Sequence, residues 1–329
     1  MNTKIPWQLA IPDSVITEYA GSTMREYFRN PRVMLQSQQK ANARFGKLFG
    51  IRRGLRAGRT TYMIASTLGL KVFFPRDNDP QVAMPRVLAS IKDVDQLRPP
   101  AEPAKSGLVP DYLAMHRYFC DKICLQESYG YNVGFQGPFT TAALLRGEEL
   151  FEEIYTDPRR VHLLLEIITE NSLRLAQSLK EKLGAASTPV VSISATDDYA
   201  GLISPEHYEE FEYPYLKRLY DSYSVDKRHL HAETLHTGHL AHLSKLGVTQ
   251  FDPGMDQYLS IESIKSSTNV HFSWNLHTVR DMLQGNPESV KAIYERSIEA
   301  GAPAMMTEIC RATPIENIKT FVETARRFE

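Results

Sequence analysis

The stretch RHLHAETLHTGHLAH, residues 228–242, contains five of the ten histidines in the 329-residue chain. Residues 228–232 read as a short extended run in which His229 and His231 are two positions apart, so their side chains project from the same face of a strand. From Thr234 onward, leucines recur at helical spacing. The stretch therefore predicts a strand that turns into a helix, which is the junction at which α/β barrel enzymes hold their catalytic residues.

The two strand histidines are candidate metal ligands. An H-x-H pair at the end of a strand preorganises two ring nitrogens, although such a pair needs a third ligand to form a site. The other three histidines of the stretch, His236, His239 and His242, fall at three-residue steps on the predicted helix. Side chains in that pattern are usually solvated or hydrogen-bonded, and we interpret these three as having no ligand role.

Length, charge and cysteine content narrow the class of protein. The chain can form two ordinary domains or one α/β barrel, which needs roughly 250 residues. Its 38 basic and 39 acidic side chains give a net charge of −1, which predicts no general attraction to nucleic acid or to an anionic membrane. The three cysteines form an odd and sparse set that favours a reducing compartment. With no secretory signal and no apolar run near the roughly 20 residues of a membrane span, the sequence predicts a cytoplasmic protein.

Strand-like and helical runs alternate along most of the chain. Residues 1–60 read as a helical extension without a strand. From residue 61 to residue 329, strand candidates are separated by helices, which predicts a parallel sheet, and eight such units would close a barrel. The expected fold is therefore an α/β, (β/α)8 TIM-type barrel with an N-terminal helical extension, and its eighth strand is expected between residues 77 and 110. The seven strand candidates are residues 70–74, 131–135, 189–194, 228–231, 248–251, 270–274 and 303–307.

Two further clusters of polar side chains have a simpler interpretation than ligand binding. His116, Cys120 and Cys124 fall four apart on one face of a helix predicted over residues 111–129. Because such positions spread along a straight helix, they do not close a tetrahedral metal site, and we interpret them as structural. The basic run at residues 52–59 is either a grip for an anionic substrate or, by default, a solvated helix end.

Polar residues gather where the predicted strands end. In a parallel barrel the carboxyl ends of the strands share one face, so side chains that are far apart in sequence converge there. Glu308 and Cys310 repeat the two-apart pattern of the paired histidines, and two imidazoles with a thiolate and a carboxylate could complete a zinc site. Aromatic residues near a barrel opening line a pocket or belong to the core. The predicted catalytic carboxylates are Asp197, Asp252 and Glu308; the predicted metal ligands are His229, His231 and Cys310; and the predicted substrate-binding residues are Phe139, Tyr199, Trp274 and Asn275.

Several stretches of the chain resemble the uroporphyrinogen decarboxylase superfamily, a set of (β/α)8 barrels. The similarity extends from about residue 68 to residue 328, and its more specific pieces are Gly-Pro-Phe-Thr at 137–140 and Thr-Pro-Ile-Glu-Asn at 313–317. The superfamily includes the decarboxylase of the haem pathway and zinc-dependent methyltransferases that serve corrinoid proteins. The matching stretches are residues 65–74, 133–140, 197–205 with 214–218, and 313–317.

The resemblance implies a ligand set that differs from that of the methyltransferases. They typically carry His-x-Cys-Gly on the strand that here reads His229-Leu-His231-Ala, so His229 matches the first ligand and His231 replaces a cysteine. If the spacing to the Thr-Pro-Ile-Glu-Asn piece is kept, their second cysteine falls on Thr307, and Cys310 is displaced from it by three positions. The implied set is two histidines and Cys310 with Glu308. Imidazoles in place of thiolates make the ion more Lewis-acidic.

Two functions follow from the resemblance, with a third in reserve. The first is a zinc-dependent methyltransferase, with one Zn2+ per chain, that moves a methyl group between a small substrate (a thiol, an ether or an amine) and a corrinoid bound to a separate partner protein. The second is a metal-free lyase similar to the decarboxylase and acting on a carboxylated substrate. The segment Arg56-Ala-Gly-Arg59 resembles the arginine-glycine-arginine segment of the decarboxylase. The third is a non-catalytic module that binds a corrinoid or a metal, and the titratable groups at the strand ends favour it less.

Overall fold

Short parallel strands form the wall of a barrel in the computed structural model, which describes residues 4–123 and 130–329. Helices connect most of the wall strands and pack around the outside. Within the described residues the strands are β1 (Trp7–Ala10), β2 (Val72–Phe73), β3 (Gln81–Val82), β4 (Tyr131–Gln136), β5 (Val190–Thr196), β6 (Arg228–His231), β7 (Gln250–Asp252), β8 (His271–Phe272), β9 (Trp274–Leu276) and β10 (Met305–Glu308).

Several helices begin after a capping side chain, such as Asp157, Ser204 or Asn286, and have proline in the first turn, where its missing N–H costs nothing. None of the helices in the described ranges has the length and hydrophobicity needed to cross a membrane. The α-helices are α1 (Asp13–Ala20), α2 (Met24–Arg29), α3 (Pro31–Phe49), α4 (Met63–Thr67), α5 (Val109–Lys122), α6 (Pro138–Arg146), α7 (Leu150–Thr156), α8 (Pro158–Lys182), α9 (Pro205–Phe211), α10 (Tyr213–Asp221), α11 (Leu240–Lys245), α12 (Ile261–Ser267), α13 (Pro287–Glu299) and α14 (Ile315–Arg327).

Two sheets join to form the barrel. One runs β4-β5-β6-β7-β8 and the other β1-β10-β9, and every pairing in both is parallel. Only Ser273 separates β8 from β9, so these two are one strand with a break, and that strand links the sheets. The (β/α)8 TIM-type fold expected from the sequence is confirmed.

Within the described chain no strand pairs with the outer edges of β1 and β4. Residues 53–60, which form no regular strand, lie beside this gap, and Arg53 donates to the carbonyl of Ile11, just after β1. Glutamine and asparagine side chains on α3 bond the N–H and C=O groups of Arg53 and Arg56. These bonds satisfy the backbone of the segment without a strand partner. Arg59 at its end lies against Gly134 of β4. This gap in the wall is therefore bordered by a segment that is tied to α3.

The structure corrects three expectations about the strands. The sequence predicts no strand in residues 1–60, but β1 pairs with β10 in the barrel, since four residues are too few for a visible alternation. The strand predicted at residues 70–74 lies outside the barrel, where β2 pairs with β3 in an antiparallel ribbon. The eighth wall position is not filled from residues 77–110. The division of the chain at residue 60 stays a prediction, although the pairing of β1 with β10 joins the two parts in one sheet.

The helix predicted to carry the cysteines is present as α5, over Val109–Lys122. Cys120 is exposed on it, and its sulfur lies 3.5 Å from Nδ1 of His116. Cys124 lies outside the described residues. The described part of this cluster is a contact between two side chains one helical turn apart, and Cys120 is not a core residue. The structural interpretation stays a prediction.

Alternation along each strand sorts the side chains into two environments. Ile193, Ala195, Leu230 and Phe251 point outward and are buried against the helices. The residues between them point into the barrel and are mostly polar or small, and Ser194 among them is exposed. Bulky side chains ordinarily fill the interior of a TIM barrel. This barrel instead has an interior that is open toward the ends of its strands.

Candidate active site at the mouth of the barrel

His231 stands at the opening of the barrel where the strands end, which we call the mouth. It is the last residue of β6 and is in register with Thr196 of β5 and Asp252 of β7. Its Nδ1 lies 2.8 Å from Oδ2 of Asp252, and its Nε2 lies 3.5 Å from Oδ1 of Asp198. The first contact is a short charge-assisted hydrogen bond, whereas the second is longer and could be replaced by another acceptor.

The carboxylates around His231 favour its protonated form. Burial opposes a charge on the imidazole, but the hydrogen bond and the charge of Asp252, with the charges of Asp198 and Glu233, outweigh it and raise the pKa of His231 to about 9. Burial would also raise the pKa of Asp252, yet the hydrogen bond from His231 lowers it below its ordinary value. The two side chains are therefore an imidazolium and a carboxylate at neutral pH.

Asp252 is held in one orientation by two donors besides His231. Its Oδ1 accepts hydrogen bonds from Nδ2 of Asn275 at 2.8 Å and from the N–H of Gly254 at 2.9 Å. Asn275, predicted to bind substrate, thus contacts the carboxylate behind the histidine. A carboxylate whose oxygens are occupied in this way fixes both the direction and the protonation of the ring that it contacts.

We predict that His231 titrates at about pH 9 in an NMR titration and that Asp252→Asn moves its midpoint to lower pH, because asparagine keeps the shape but not the charge. The folded pKa lies above the unfolded value of 6.5, so the stability that protonation of His231 contributes is fully present below pH 6.5. That stability is lost as the pH rises through about 9. Asp93→Asn on the surface is the control. A midpoint near 6.5 in the parent protein would contradict this account of the pair.

Further carboxylates ring the mouth. Glu308 is the last residue of β10. Burial and the negative charges of Asp79, Glu233 and Asp252 raise its pKa, although the positive charge of His231 acts to lower it. Charged groups that shift one another's pKa values lie close together, so Asp252 and Glu308 are neighbours at the ends of their strands. The sequence predicts this convergence at the strand ends. The mouth therefore carries more negative than positive charge.

The three predicted metal ligands are not gathered around one point. His229 lies two residues before His231 on the same face of β6, and burial and the charge of Lys227 lower its pKa. The sulfur of Cys310 lies 3.5 Å from the hydroxyl of Thr313, which also accepts the N–H of Cys310. In the described residues, no three or more histidine, cysteine, aspartate or glutamate side chains are arranged to hold a metal ion. The residues as they stand do not fit zinc; its assignment stays a prediction.

Three residues predicted to act on substrate lie away from the mouth. Asp197 and Trp274 continue the outward-facing alternation of their strands, so the carboxyl of Asp197 is buried and the indole of Trp274 packs against the core. Phe139 is fully buried in a second core cluster between α6 and its neighbours. A substrate in the mouth cannot contact these side chains. Tyr199, by contrast, is 39% exposed in the loop that follows β5.

The aspartate that lies beside His231 in the mouth is Asp198, whereas the sequence analysis predicts Asp197 as the catalytic residue. Strand β5 directs Ser194 and Thr196 into the barrel, and Asp198 continues that alternation. The parity of the strand is thus the signal that separates the two aspartates. Glu233 has no such signal, because it follows the strand in a turn where the backbone of the next residue is left-handed.

The basic run of residues 52–59 borders a separate cavity of about 640 Å³ beside the irregular part of the wall. Arg53, Arg56 and Arg59 line it, and none of the three forms an ion pair within the described ranges. The run is not helical, so the default interpretation as a solvated helix end is wrong for this segment. Asp13 lines the same cavity and interacts with the charges of Arg53 and Arg56. An arginine that no carboxylate neutralises can hold an anionic group.

Comparison with known proteins identifies relatives along most of the chain. The family model described as Uroporphyrinogen decarboxylase (URO-D) matches residues 13–328. Methylcobamide:CoM methyltransferase MtbA of Methanosarcina mazei is 27% identical over 215 residues, 62% of this chain and 61% of that protein. Uroporphyrinogen decarboxylase of Anaeromyxobacter dehalogenans is 25% identical over 268 residues, 77% of this chain and 72% of that protein. The chain thus spans about three fifths of the length of the methyltransferase that it matches.

A solved structure has the same fold. It is a methyltransferase from Methanosarcina mazei, which superposes with a TM-score of 0.75 at 20% sequence identity. The superposition covers 99% of this chain and 94% of that one. The likeness concerns the barrel and extends from one end of the chain to the other.

Proposed function

The chain belongs to the uroporphyrinogen decarboxylase family, and we propose on this premise that it is a methyltransferase that works with a corrinoid bound to a separate partner protein. Relatives named as methylcobamide:CoM methyltransferases support methyl transfer with a corrinoid. Among thiol, ether and amine substrates, we infer a methyl ether as the methyl donor. The observation that carries this choice is the position of His231 between the carboxylates of Asp252 and Asp198, which raise the pKa of His231 and favour its imidazolium form.

A methyl ether needs an acid when its carbon–oxygen bond breaks. The corrinoid of the partner protein, when bound, supplies the nucleophile that takes the methyl group. The leaving oxygen then takes the proton from Nε2 of His231. The contact of Nε2 with Asp198 is 3.5 Å long, so another acceptor can replace Asp198 there. The products on this side are an alcohol and a neutral imidazole, which recovers its proton from water. Asp252 keeps Nδ1 engaged throughout. A thiol acceptor would need a base, and a protonated imidazole is not one.

Exposed apolar side chains around the mouth suit the docking of the partner protein. They lie in the loops that follow β5, β7 and β9, with exposed fractions of 38% to 53%. Exposed apolar groups that cluster around an opening are typical of protein–protein contact surfaces. A corrinoid that reaches a donor beside His231 must pass this rim. The rim residues are Tyr199, Leu202, Met255, Tyr258 and Val279.

The visible spectrum of cobalamin tests the proposed activity. The protein is mixed with reduced cobalamin as a substitute for the partner's corrinoid, and with a panel of methyl ethers, methylamines and methyl thioethers. We expect loss of the cobalt(I) absorbance with an ether and not with heat-inactivated protein. Transfer from amines alone would overturn the choice of donor. No transfer from any donor, either to cobalamin or to a corrinoid protein, would overturn methyl transfer itself.

The zinc ion implied by the resemblance is a separate hypothesis from the proton transfer above. A His231 that binds zinc is neutral, so the two exclude each other at this side chain. The zinc hypothesis requires about one zinc per chain in the purified protein. It also requires that His229→Ala and Cys310→Ala each abolish the bound metal, while Cys120→Ala, on α5, leaves it in place. Metal analysis of the four proteins decides the point, and full occupancy in both ligand variants would contradict the assignment.

One observation favours a second function, a metal-free lyase acting on a carboxylated substrate. Arg53, Arg56 and Arg59 line their cavity without ion pairs in the described chain, and uroporphyrinogen decarboxylases are among the relatives. Guanidinium groups bind carboxylates in a bidentate manner. Decarboxylation of uroporphyrinogen that is lost in Arg59→Ala and retained in His231→Gln would support this function over methyl transfer.

A further inference from the structure

Two carboxyl groups are buried together beneath the mouth. Asp197 follows the end of β5 and is 1% exposed, and Glu212, between α9 and α10, is fully buried. The two carboxyls lie close enough for each to shift the pKa of the other. The mechanism above uses neither of them. Buried carboxyls are costly unless their oxygens are satisfied, so the partners of each oxygen decide what this pair can do.

The first turn of α6 supplies the donors. Oδ1 of Asp197 accepts from the hydroxyl of Thr140 at 2.6 Å and from its N–H at 3.3 Å, and Oε2 of Glu212 accepts from the N–H of Phe139 at 2.7 Å. The other oxygen of each carboxyl has no donor among the described residues. Two ionised carboxylates left in this way would repel each other in a site without water. One proton shared between Oδ2 of Asp197 and Oε1 of Glu212 would give both oxygens a hydrogen-bond partner.

The proton belongs to Glu212. Asp197 has two donors and Glu212 has one, so the carboxylate form of Asp197 is the better stabilised. Burial and the charge of Asp197 hold the pKa of Glu212 well above its usual range. The titratable neighbours are the hydroxyls of Tyr208 on α9 and of Tyr215 and Tyr220 on α10. No cation of the described chain is among the groups that act on Glu212.

We propose that Glu212 is a positioning residue for the mouth: as a carboxylic acid it donates a hydrogen bond to Asp197, and this bond fixes the loop that carries Asp198 beside His231. The proposal rests on the proposed function only in taking the mouth as the reaction site. Glu212 itself touches neither substrate nor His231. It acts through Asp197, the residue that precedes Asp198 in the chain.

Hydrogen bonds lead from the pair to the mouth. The hydroxyl of Thr140, which donates to Asp197, accepts the N–H of Tyr199 at 2.9 Å. The N–H of Asp197 donates to the carbonyl of His231 at 2.9 Å. The residues on both sides of Asp198 are therefore fixed, and the last residue of β6 is held by the same aspartate. Loss of the Glu212 proton donor would leave Oδ2 of Asp197 without a donor in the core and would loosen this loop.

Infrared spectroscopy tests the protonation of Glu212. At neutral pH, exposed carboxyls are ionised, so a carboxylic-acid carbonyl band marks a buried protonated group. We expect this band in the parent protein and its loss in Glu212→Gln, which keeps a donor toward Asp197 and preserves the fold. A band of unchanged intensity in Glu212→Gln, or no such band in the parent protein, would overturn the assignment of the proton.

The NMR titration of His231 tests positioning. Glu212→Leu removes the donor, so we expect the midpoint of His231 to move to lower pH as Asp198 moves away, and Glu212→Gln to retain the parent midpoint. Leu216→Ala, a fully buried residue on α10, is the control for a general loss of stability. Equal midpoints in the parent protein and Glu212→Leu would overturn the proposal. Should Glu212→Leu not fold, Glu212→Ala replaces it in the same comparison. Neither readout requires methyl transfer, so failure of the proposed function leaves both tests intact.

Discussion

His231→Gln is expected to lower kcat/KM for methyl transfer from an ether by roughly 10²- to 10⁴-fold, the usual contribution of a positioned acid or base. Glutamine preserves a polar side chain beside Asp252 but carries no proton that it can give up at neutral pH. The leaving oxygen would then depart without the imidazolium, because the charged groups that act on His231 are the carboxylates of Asp252, Asp198 and Glu233. The measurement is the initial rate of cobalamin methylation over a range of donor concentrations.

The matched control is His271→Gln. His271 begins β8, is exposed, and bonds to Gln250 at the opposite end of the barrel wall from the mouth. A general effect of histidine replacement would lower the rate in both variants, whereas the proposed role predicts a loss confined to His231→Gln. Retention of the parent kcat/KM by His231→Gln would remove His231 from the mechanism.

Gly137→Ala is expected to lower the free energy of unfolding by on the order of 3 kcal/mol, at the upper end for an extra methyl group in a packed site. A Cβ atom at this position would lie 2.1 Å from the carboxyl carbon of Asp197. That carboxyl is held by Thr140 and Glu212, so it cannot turn away without breaking buried hydrogen bonds. The α6 start and the end of β5 would have to separate instead. Chemical denaturation measures the loss.

Gly54→Ala is the control for a glycine substitution as such, because a Cβ atom there would have open space within 4 Å. We expect its free energy of unfolding to stay within roughly 0.5 kcal/mol of the parent value, as for a surface change. Equal stability of Gly137→Ala and the parent protein would mean that the Gly-Pro-Phe-Thr turn and Asp197 are less tightly packed than described.

Local patterns were sufficient to predict much of the barrel. The two-apart histidines identify β6, and the short apolar runs before Asp252 and Glu308 identify β7 and β10. Strand β1 is four residues long, and the segment at residues 53–60 has its backbone satisfied by side chains of α3. Neither has the alternation that a sequence pattern requires, so the first two positions of the wall depend on tertiary contacts.

Some residues of the site can also be predicted from the sequence, whereas others depend on tertiary contacts. The clustering of Asp252, Asn275 and Glu308 with His231 follows from their positions at strand ends, and the sequence predicts it. Parity along β5 would have selected Asp198 over Asp197. Glu212 lies on a helical connection far along the chain from Asp197, and no local pattern joins them, because the contact depends on how α6, α9 and α10 pack. The arrangement of Cys310 likewise depends on its contact with Thr313 rather than on spacing.

The pH dependence of cobalamin methylation by the parent protein tests most directly whether the proton on His231 drives the reaction. The imidazolium is the active form, and its pKa is raised to about 9, so kcat/KM should be constant through neutral pH and fall as the pH rises through about 9. In Asp252→Asn the fall should begin at lower pH. A rate that increases with pH across this range, or a profile that Asp252→Asn leaves unchanged, would contradict the account.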